Sequence, residues 1–351
     1  MARILSVSTA VPDHRYNQGE IKELCLGIFG PLLAKSRRAE VFDRAGVETR
    51  GLVESKDYYV GGKDFETRNR DYLKHALRLS EACIREALEK SDVGFSGVNH
   101  IISVTTTGLL TPSLEARLAQ SLPFPWTVKR TPLFGVGCAG GAVALARAAD
   151  YLAGHPEETV LVLSVELCSL TFLPQERTMT QVVAAALFGD GASAVVLSGA
   201  AGPGSTRARI LRCESRLLPD SLDIMGWDFS NDGMKLVLSP RAPELIEQHF
   251  RGAVDSFLKK EGLQLSDIGT VLLHPGSGKI LEACERALGI TANETRLSRR
   301  FLAENANLSS SSLLFILRAA LEDEPPPPGS LGLMAAFGPG FSCEMLLIRF
   351  S

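Results

Sequence analysis

The strongest chemical signal in the sequence is a cysteine set among glycines, Cys138 in the run GVGCAGG at 135–141. An alanine-rich helical pattern over Gly141–Leu152 follows directly, so Cys138 is expected at a helix start, where backbone N–H groups and the helix dipole favour thiolate over thiol. The flanking glycines would let a substrate carbonyl approach the backbone, as an oxyanion site requires. A cysteine in such a turn can equally be a small buried hydrophobe. The run therefore predicts a nucleophile or a packing residue.

The same run matches the Gly-x-Gly-x-x-Gly pattern of dinucleotide-binding folds, with Glu166 after the next apolar strand as a ribose-binding acid. The pattern lies far inside the chain, a cysteine occupies a variable position, and Glu166 follows later than the usual spacing of about 20 residues. These departures make dinucleotide binding the weaker interpretation.

Two further polar residues stand where elements of an α/β fold end or begin. His274 follows the strand Val271–Leu273, and such a histidine points into the crevice where α/β folds bind ligands. Asn307 precedes a serine run and the apolar helix Leu313–Leu321, so it serves either as an N-cap or as an amide aimed at the same pocket. Together the residues would supply a cysteine nucleophile, a histidine base and an amide donor for developing negative charge.

The elements that position these residues follow an α/β pattern. Short β-branched runs such as Ile101–Thr105 and Val160–Val165 alternate with helical segments. Three features recur in the same order in each half: a strand running into a polar loop, a small-residue loop opening a helix, and a glycine turn before an apolar strand. This order predicts an internal duplication with a boundary in the stretch Gly199–Gly204, giving an N-terminal half at 1–203 that carries the cysteine and a C-terminal half at 204–351 that carries the histidine and asparagine.

Composition narrows the class of protein. The 351 residues are 45% hydrophobic and 22% charged with a net charge of −3, which is typical of a folded protein and unlike a nucleic-acid binder. No apolar run is long enough to span a bilayer, and the start does not resemble a signal peptide. Seven dispersed cysteines predict neither a disulfide framework nor a metal site, and they favour a cytoplasmic location.

The sequence resembles the thiolase superfamily and, within it, the type III polyketide synthases of the chalcone and stilbene synthase family. The resemblance extends from the first strand to the last. The segments that carry it are GCAGG at 137–141, ALFGDGA at 186–192, HPG at 274–276, NLSS at 307–310 with LFIL at 314–317, and FGPG at 337–340.

The resemblance implies an α/β fold of five layers, αβαβα, built from two duplicated halves and assembled as a homodimer. It implies no cofactor, with CoA thioesters as substrates. Cys138 would accept an acyl group from a starter acyl-CoA, while His274 and Asn307 would stabilise the enolate formed when malonyl-CoA loses CO2. Iterative decarboxylative Claisen condensation would then extend the chain.

The resemblance also assigns binding residues. Arg37, Arg44 and Lys279 correspond to positions that contact CoA, and Glu40 stands where a third basic residue is expected. Phe188 matches one of two gating phenylalanines, and Leu236 replaces the other. The further lining positions are Thr107, Thr111, Cys168, Thr171, Trp227 and Ser309. An apolar pocket of this kind predicts a fatty acyl starter and alkylpyrone or alkylresorcinol products.

Other functions remain open from the residues alone. An initiating 3-ketoacyl-ACP synthase uses the same three residue types with malonyl-ACP, although it usually carries a different run after its histidine. A cysteine hydrolase with the same trio would have no role for CoA-binding arginines. A binding protein without activity is hard to reconcile with an intact trio.

Overall fold

The computed structural model describes residues 1–34 and 37–351. The strands are β1 Ala2–Ala10, β2 His14–Asn17, β3 Thr49–Leu52, β4 His100–Val104, β5 Lys129–Leu133, β6 Thr159–Leu167, β7 Asp190–Ser198, β8 Ala208–Leu217, β9 Met225–Ser230, β10 Gly233–Leu238, β11 Thr270–Leu273, β12 Leu331–Gly338 and β13 Ser342–Phe350. The helices are α1 Gln18–Leu33, α2 Glu40–Asp43, α3 Lys56–Val60, α4 Phe65–Ser91, α5 Leu114–Ser121, α6 Gly140–Gly154, α7 Met179–Leu187, α8 Ala242–Lys259, α9 Gly278–Leu288, α10 Arg296–Asn305 and α11 Ser312–Glu322.

Nine strands form one continuous sheet that contains the same arrangement twice. Its order is β11-β12-β13-β8-β1-β7-β6-β4-β5. In the first half β4 pairs with β6 in parallel, and the pairs β6–β7 and β7–β1 are antiparallel. The second half repeats these relations with β11–β12 parallel and β12–β13 and β13–β8 antiparallel. The two half-sheets meet through a short antiparallel pairing of β1 with β8. The predicted duplicated architecture is confirmed, whereas the boundary at residue 203 stays a prediction.

Helices on both sides of each half-sheet produce the five layers. Helices α6 and α11 lie in the middle, where α6 packs against strands of both halves. Helix α4 covers the outer face of the first half-sheet, and α8 with α9 covers the second. Strand β6 is buried on both faces along all nine residues, and most of them are apolar, as expected for a strand covered by helices on each side. The central helices therefore present their N-terminal ends at the junction between the halves.

Strands β9 and β10 form a separate hairpin outside the main sheet. Leu236 pairs with Trp227 and Leu238 pairs with Met225. Because side chains alternate along a strand, these four residues lie on one face of the hairpin. That face covers the functional site described next.

Candidate active site

The structure brings Cys138, His274 and Asn307 to one cavity of about 660 Å³. Cys138 lies in the short 3-10 turn Gly137–Ala139 that leads into α6. Asn307 precedes the equivalent turn, Ser309–Ser311, which leads into α11. His274 follows β11, and its backbone N–H donates to the Ala335 carbonyl at 2.8 Å. The two central helices thus start at the same cavity, and the convergence expected from the sequence is present.

The glycines around Cys138 serve packing rather than substrate approach. A Cβ on Gly140 would lie 2.9 Å from the Ser310 Cβ, and one on Gly141 would overlap the Ser310 carbonyl oxygen. Gly137, at a φ of +47°, packs against the Pro339 ring of the FGPG loop. The expectation that these glycines admit a substrate carbonyl is therefore corrected. Their small size lets the cysteine turn approach the second half of the chain.

Burial dominates the protonation of Cys138. It raises the pKa of the thiol to about 11, while hydrogen bonding by the Ser309 and Asn307 side chains acts in the opposite direction. Ser309 was assigned only to the pocket lining, and the structure adds this contact with the nucleophile. It is also a non-glycine residue held at a left-handed φ of 49°, a strained conformation that often occurs at functional sites.

His274 is a buried imidazole without a hydrogen-bond partner. Neither Nδ1 nor Nε2 has one among the described residues, and the side chain is 3% exposed. Burial lowers the pKa of His274 to about 3, so the ring is neutral and carries one N–H donor and one acceptor. A buried unsatisfied polar group costs about 1–3 kcal/mol, which a ligand atom in the cavity would recover.

Hydrogen bonds of both its side chain and its backbone fix the position of Asn307. Its Oδ1 accepts from the Ser309 N–H at 2.8 Å, and its Nδ2 donates to the Gly276 carbonyl at 3.1 Å. Its backbone N–H donates to the Leu187 carbonyl at 2.9 Å. Asn307 is therefore not a simple N-cap. The contacts orient the amide so that its remaining N–H is available to the cavity.

Glu166 is an interior residue rather than a ribose ligand. Its carboxylate is fully buried and accepts from the Thr106 N–H at 3.0 Å, the Thr107 hydroxyl at 2.8 Å and the Ser310 hydroxyl. Burial raises the pKa of this carboxyl. The network joins the two halves behind Cys138 and leaves no open face for a dinucleotide.

Most of the predicted binding residues line the cavity, and one does not. Those that do are Thr107, Cys168, Thr171, Phe188, Trp227, Leu236 and Ser309, together with Arg37, Arg44 and Lys279. Thr111 is exposed and absent from the cavity wall, because the loop between β4 and α5 carries it over the surface. Thr111 therefore does not line the cavity of its own subunit, and its assignment as a binding residue stays a prediction.

The predicted CoA-contacting arginines are held by the acidic residue between them. Glu40 Oε2 lies 2.7 Å from Arg44 Nη2, and Oε1 lies 3.8 Å from Arg37 Nε. The side chains of Arg37 and Arg44 are 83% and 67% exposed. Glu40, which stands where a third basic residue is expected, therefore places a carboxylate beside these guanidinium groups. This carboxylate would compete with a CoA phosphate for them.

Sequence reasoning missed Arg50, which positions the end of α7. Its guanidinium is buried and donates to the carbonyls of Ala185, Ala186 and Phe188 at 2.7–2.8 Å. Burial lowers the pKa of Arg50 to about 10. Phe188 in turn forms a β-bridge with Asn307. No local sequence signal identifies Arg50, since its partners, the Gln18 side chain and the carbonyls of α7 and Phe188, are distant along the chain.

Family models match most of the chain. The N-terminal domain of chalcone and stilbene synthases matches residues 58–203, and the C-terminal domain matches residues 209–351. The chain belongs to the chalcone and stilbene synthase family. The assignment to type III polyketide synthases, which are acyltransferases, is confirmed, and we refer to the protein as the synthase.

Relatives and solved structures agree over the whole length. A putative chalcone synthase of Bacillus subtilis is 36% identical, with 100% of the synthase and 99% of that protein covered. A 1,3,6,8-tetrahydroxynaphthalene synthase of Streptomyces peucetius is 37% identical, covering 99% and 93%. The crystal structure of the 1,3,6,8-tetrahydroxynaphthalene synthase of Streptomyces coelicolor, a bacterial type III polyketide synthase, superposes with a TM-score of 0.94 at 29% identity, covering 99% of each chain. The predicted thiolase fold is thereby confirmed.

Across residues 1–34 and 37–351, the synthase contains no helix with both the length and the apolar character needed to cross a membrane.

Proposed function

We propose that the synthase primes with an aliphatic acyl-CoA and extends it with malonyl-CoA to alkylpyrone or alkylresorcinol products. The observation that carries the proposal is the apolar wall opposite Cys138, formed by Trp227 and Leu236 of the hairpin with Phe188. A cavity of about 660 Å³ lies within the range that holds a drug-sized ligand. An acyl chain gains about 0.8 kcal/mol for each methylene buried against such a wall.

In the loading step, the Cys138 thiolate attacks the carbonyl carbon of the acyl-CoA. The carbon–sulfur bond to CoA breaks, and CoA leaves with a proton as the free thiol. In the condensation step, malonyl-CoA loses CO2 and the electron pair of the broken bond forms the enolate of acetyl-CoA. The enolate carbon attacks the Cys138 thioester, which expels the thiolate and yields a β-ketoacyl-CoA two carbons longer.

His274 and Asn307 would stabilise the enolate oxygen. The neutral state of His274 supports a donor role, because its N–H can donate without a charge being buried. The amide of Asn307 is oriented by contacts with Gly276 and Ser309 before substrate arrives. Such preorganised donors are worth on the order of 3 kcal/mol each.

A second candidate is a polyhydroxylated aromatic product made from malonyl units. Relatives that cover 99% of the chain are named 1,3,6,8-tetrahydroxynaphthalene synthase and 3,5-dihydroxyphenylacetyl-CoA synthase. The Thr171 hydroxyl lines the cavity beside its apolar wall, and its oxygen can accept a hydrogen bond from such a polyketide while its proton is donated to the Cys168 carbonyl.

Radiolabelled malonyl-CoA separates these candidates when it is supplied alone and with a panel of acyl-CoA starters. We expect labelled pyrones or resorcinols that carry the added acyl chain, and intact-mass analysis should find one acyl adduct that is lost in Cys138→Ala. Cys138→Gln should retain malonyl-CoA decarboxylation without condensation. A labelled aromatic product from malonyl-CoA alone, unaffected by added acyl-CoA, would favour the second candidate.

We also propose that the synthase is a homodimer. Strand β5 forms a free edge of the sheet, and exposed aromatic residues lie near it in the chain, with Trp126 91% and Phe134 47% exposed. We infer the interface from these exposed aromatic side chains at the two ends of an unpaired edge strand.

A further inference from the structure

Arg68 is a buried cation in the first turn of α4 that the chemistry described above does not use. It is 5% exposed. Its Nη1 donates to the carbonyls of Leu170 at 3.2 Å and Phe172 at 3.4 Å, and its Nη2 donates to the carbonyl of Asp232. These partners are backbone atoms, so the guanidinium fixes the position of the chain rather than neutralising a carboxylate.

The segments that Arg68 joins both line the cavity and lie next to each other, since β10 contacts the Cys168–Thr171 turn. Leu170 belongs to the short 3-10 turn Cys168–Thr171, whose first and last residues line the cavity. Asp232 lies in the turn of the β9–β10 hairpin, which contributes Trp227 and Leu236 to the cavity. Arg68 therefore ties the turn of the hairpin to the neighbouring cavity wall, in addition to the contacts that β10 makes with α7 and β9 makes with the Pro339–Phe341 turn.

The hairpin depends on such contacts for its position. A two-stranded hairpin is marginally stable by itself, and this one pairs with no strand of the main sheet. Gly233 packs directly on Arg68, since a Cβ there would lie 2.9 Å from Nη2, and its φ of +123° suits glycine alone. The ion pair Lys235–Glu176, at 2.5 Å, also ties the hairpin to the body, but both side chains are partly exposed and such pairs contribute little.

We propose that Arg68 is a positioning residue that fixes the width of the cavity and thereby the number of condensations before the product is released. A chain that grows on Cys138 stops when the cavity bounded by the hairpin and the Cys168–Thr171 turn is filled. Loss of the guanidinium frees the hairpin, widens this space and admits longer intermediates. The inference rests on the condensing activity of the family and holds for any starter.

The test compares Arg68→Met with Arg68→Lys and with the control Arg70→Met. Arg70 lies on the same helix, and among the described residues its side chain forms one hydrogen bond, to the Thr67 hydroxyl. Products are separated by the number of malonyl units, with acyl-CoA and malonyl-CoA or with malonyl-CoA alone, so that the starter proposal does not affect the outcome. We expect the ratio of longer to shorter products to rise about tenfold in Arg68→Met, which corresponds to about 1.4 kcal/mol. Arg68→Lys should give a ratio nearer the unmodified enzyme, because an ammonium group can still donate to carbonyls.

A second measurement separates positioning from general damage. In the Cys138→Gln background, Arg68→Met should leave the rate of malonyl-CoA decarboxylation within about twofold, since a hairpin displacement does not touch His274 or Asn307. If Arg68→Met does not fold, Gly233→Ala perturbs the same contact from the hairpin side, with Gly252→Ala on α8 as its control, and should shift the ratio in the same direction. An unchanged product ratio in the folded variant, or a loss of decarboxylation equal to the loss of product, would overturn the proposal.

Discussion

Cys138 and His274 line the same cavity, and burial moves their pKa values in opposite directions, to about 11 and about 3. At neutral pH these pKa values correspond to a protonated thiol and an unprotonated imidazole, both without charge. A proton passing from the thiol to the unpartnered imidazole would create an ion pair whose mutual attraction opposes both burial costs. We therefore predict that the reactivity of the thiol depends on His274 as the acceptor.

We expect His274→Ala to raise the apparent pKa of Cys138 to about 11, the value that burial sets against the Ser309 and Asn307 hydrogen bonds, rather than to the free-cysteine value of about 8.5. Only the thiolate reacts, so alkylation by iodoacetamide at pH 7 should slow at least about tenfold and should increase steadily as the pH rises to 9. The measurement is the alkylation rate of Cys138 against pH, with Cys168→Ala as the control for background labelling. Superimposable profiles for the variant and the unmodified enzyme would exclude His274 as the acceptor.

Ser309→Ala should also raise the pKa of Cys138, because the Ser309 side chain is the largest influence that lowers it. Asn307→Ala should produce a smaller rise and should mainly impair decarboxylation, by about two orders of magnitude for the loss of one preorganised donor. The same alkylation series and a decarboxylation assay with malonyl-CoA measure both effects. A larger alkylation defect in Asn307→Ala than in Ser309→Ala would contradict this order.

At the scale of elements, α2 and the β9–β10 hairpin shape the two ends of the binding site. Helix α2 starts at Glu40, whose carboxylate holds Arg44 at the cavity mouth. The hairpin places Leu236 against Trp227 in the cavity wall and turns Val237 to its other face. Substitutions in these elements should change substrate preference without changing the reacting groups.

Glu40→Gln should lower KM for CoA thioesters while kcat stays constant, since a CoA phosphate would no longer compete with the carboxylate for Arg44. Exposed pairs of this kind are worth about 0.2–1 kcal/mol, so we expect a decrease of about 1.5- to 5-fold that shrinks as salt is added. Initial rates at low and high ionic strength measure the effect, and Glu23→Gln on α1 is the control. A KM that does not change at low ionic strength would argue against a CoA phosphate at Arg44.

Leu236→Phe should shift the preferred starter to shorter acyl chains, because the larger ring fills space beside Trp227. Each methylene that no longer fits should reduce kcat/KM by about fourfold, the equivalent of about 0.8 kcal/mol. A competition assay over acyl-CoAs of increasing length and aromatic starters measures the shift, with Val237→Phe as the control on the opposite face. A flat length profile, or a preference for aromatic starters in the unmodified enzyme, would contradict the aliphatic pocket.

At the scale of the whole molecule, two half-sheets meet at β1 and β8, and the catalytic residues come from both halves. The network of Glu166, Thr106 and Ser310 crosses this junction with every member buried. The site is therefore assembled only when the halves are docked. Strands β11 and β5 are the two edges of the nine-stranded sheet, and the β5 edge is the surface on which we base the homodimer.

Trp126→Asp with Phe134→Asp should convert the proposed dimer to a monomer, because two charges would have to be buried at the interface. Light scattering coupled to size-exclusion chromatography gives the mass directly. Val60→Asp, at a residue that is 57% exposed and distant in sequence from β5, serves as the control and should leave the mass unchanged. A monomeric unmodified protein, or a double variant that remains dimeric, would rule out this interface.

The sequence by itself determined the local parts of the site. Cys138 at a helix start, His274 after a strand and the helices Gly140–Gly154 and Ser312–Glu322 all follow from residue type and periodicity over short windows. The repeated order of elements was also sufficient to predict the duplicated halves. These features are encoded by neighbours in the chain, so they are visible without knowledge of the packing.

Only the tertiary structure decided what distant residues do to one another. Glu166 is a buried residue that hydrogen-bonds to both halves, Thr111 lies on the surface, and Glu40 lies between two arginines. Arg50 and Arg68 bind backbone carbonyls far along the chain, a contact that leaves no pattern in the sequence. The glycines beside Cys138 are explained by Ser310 and Pro339 of the other half. Each of these outcomes depends on which surfaces the docked half-sheets bring together, and a local window of sequence does not contain that information.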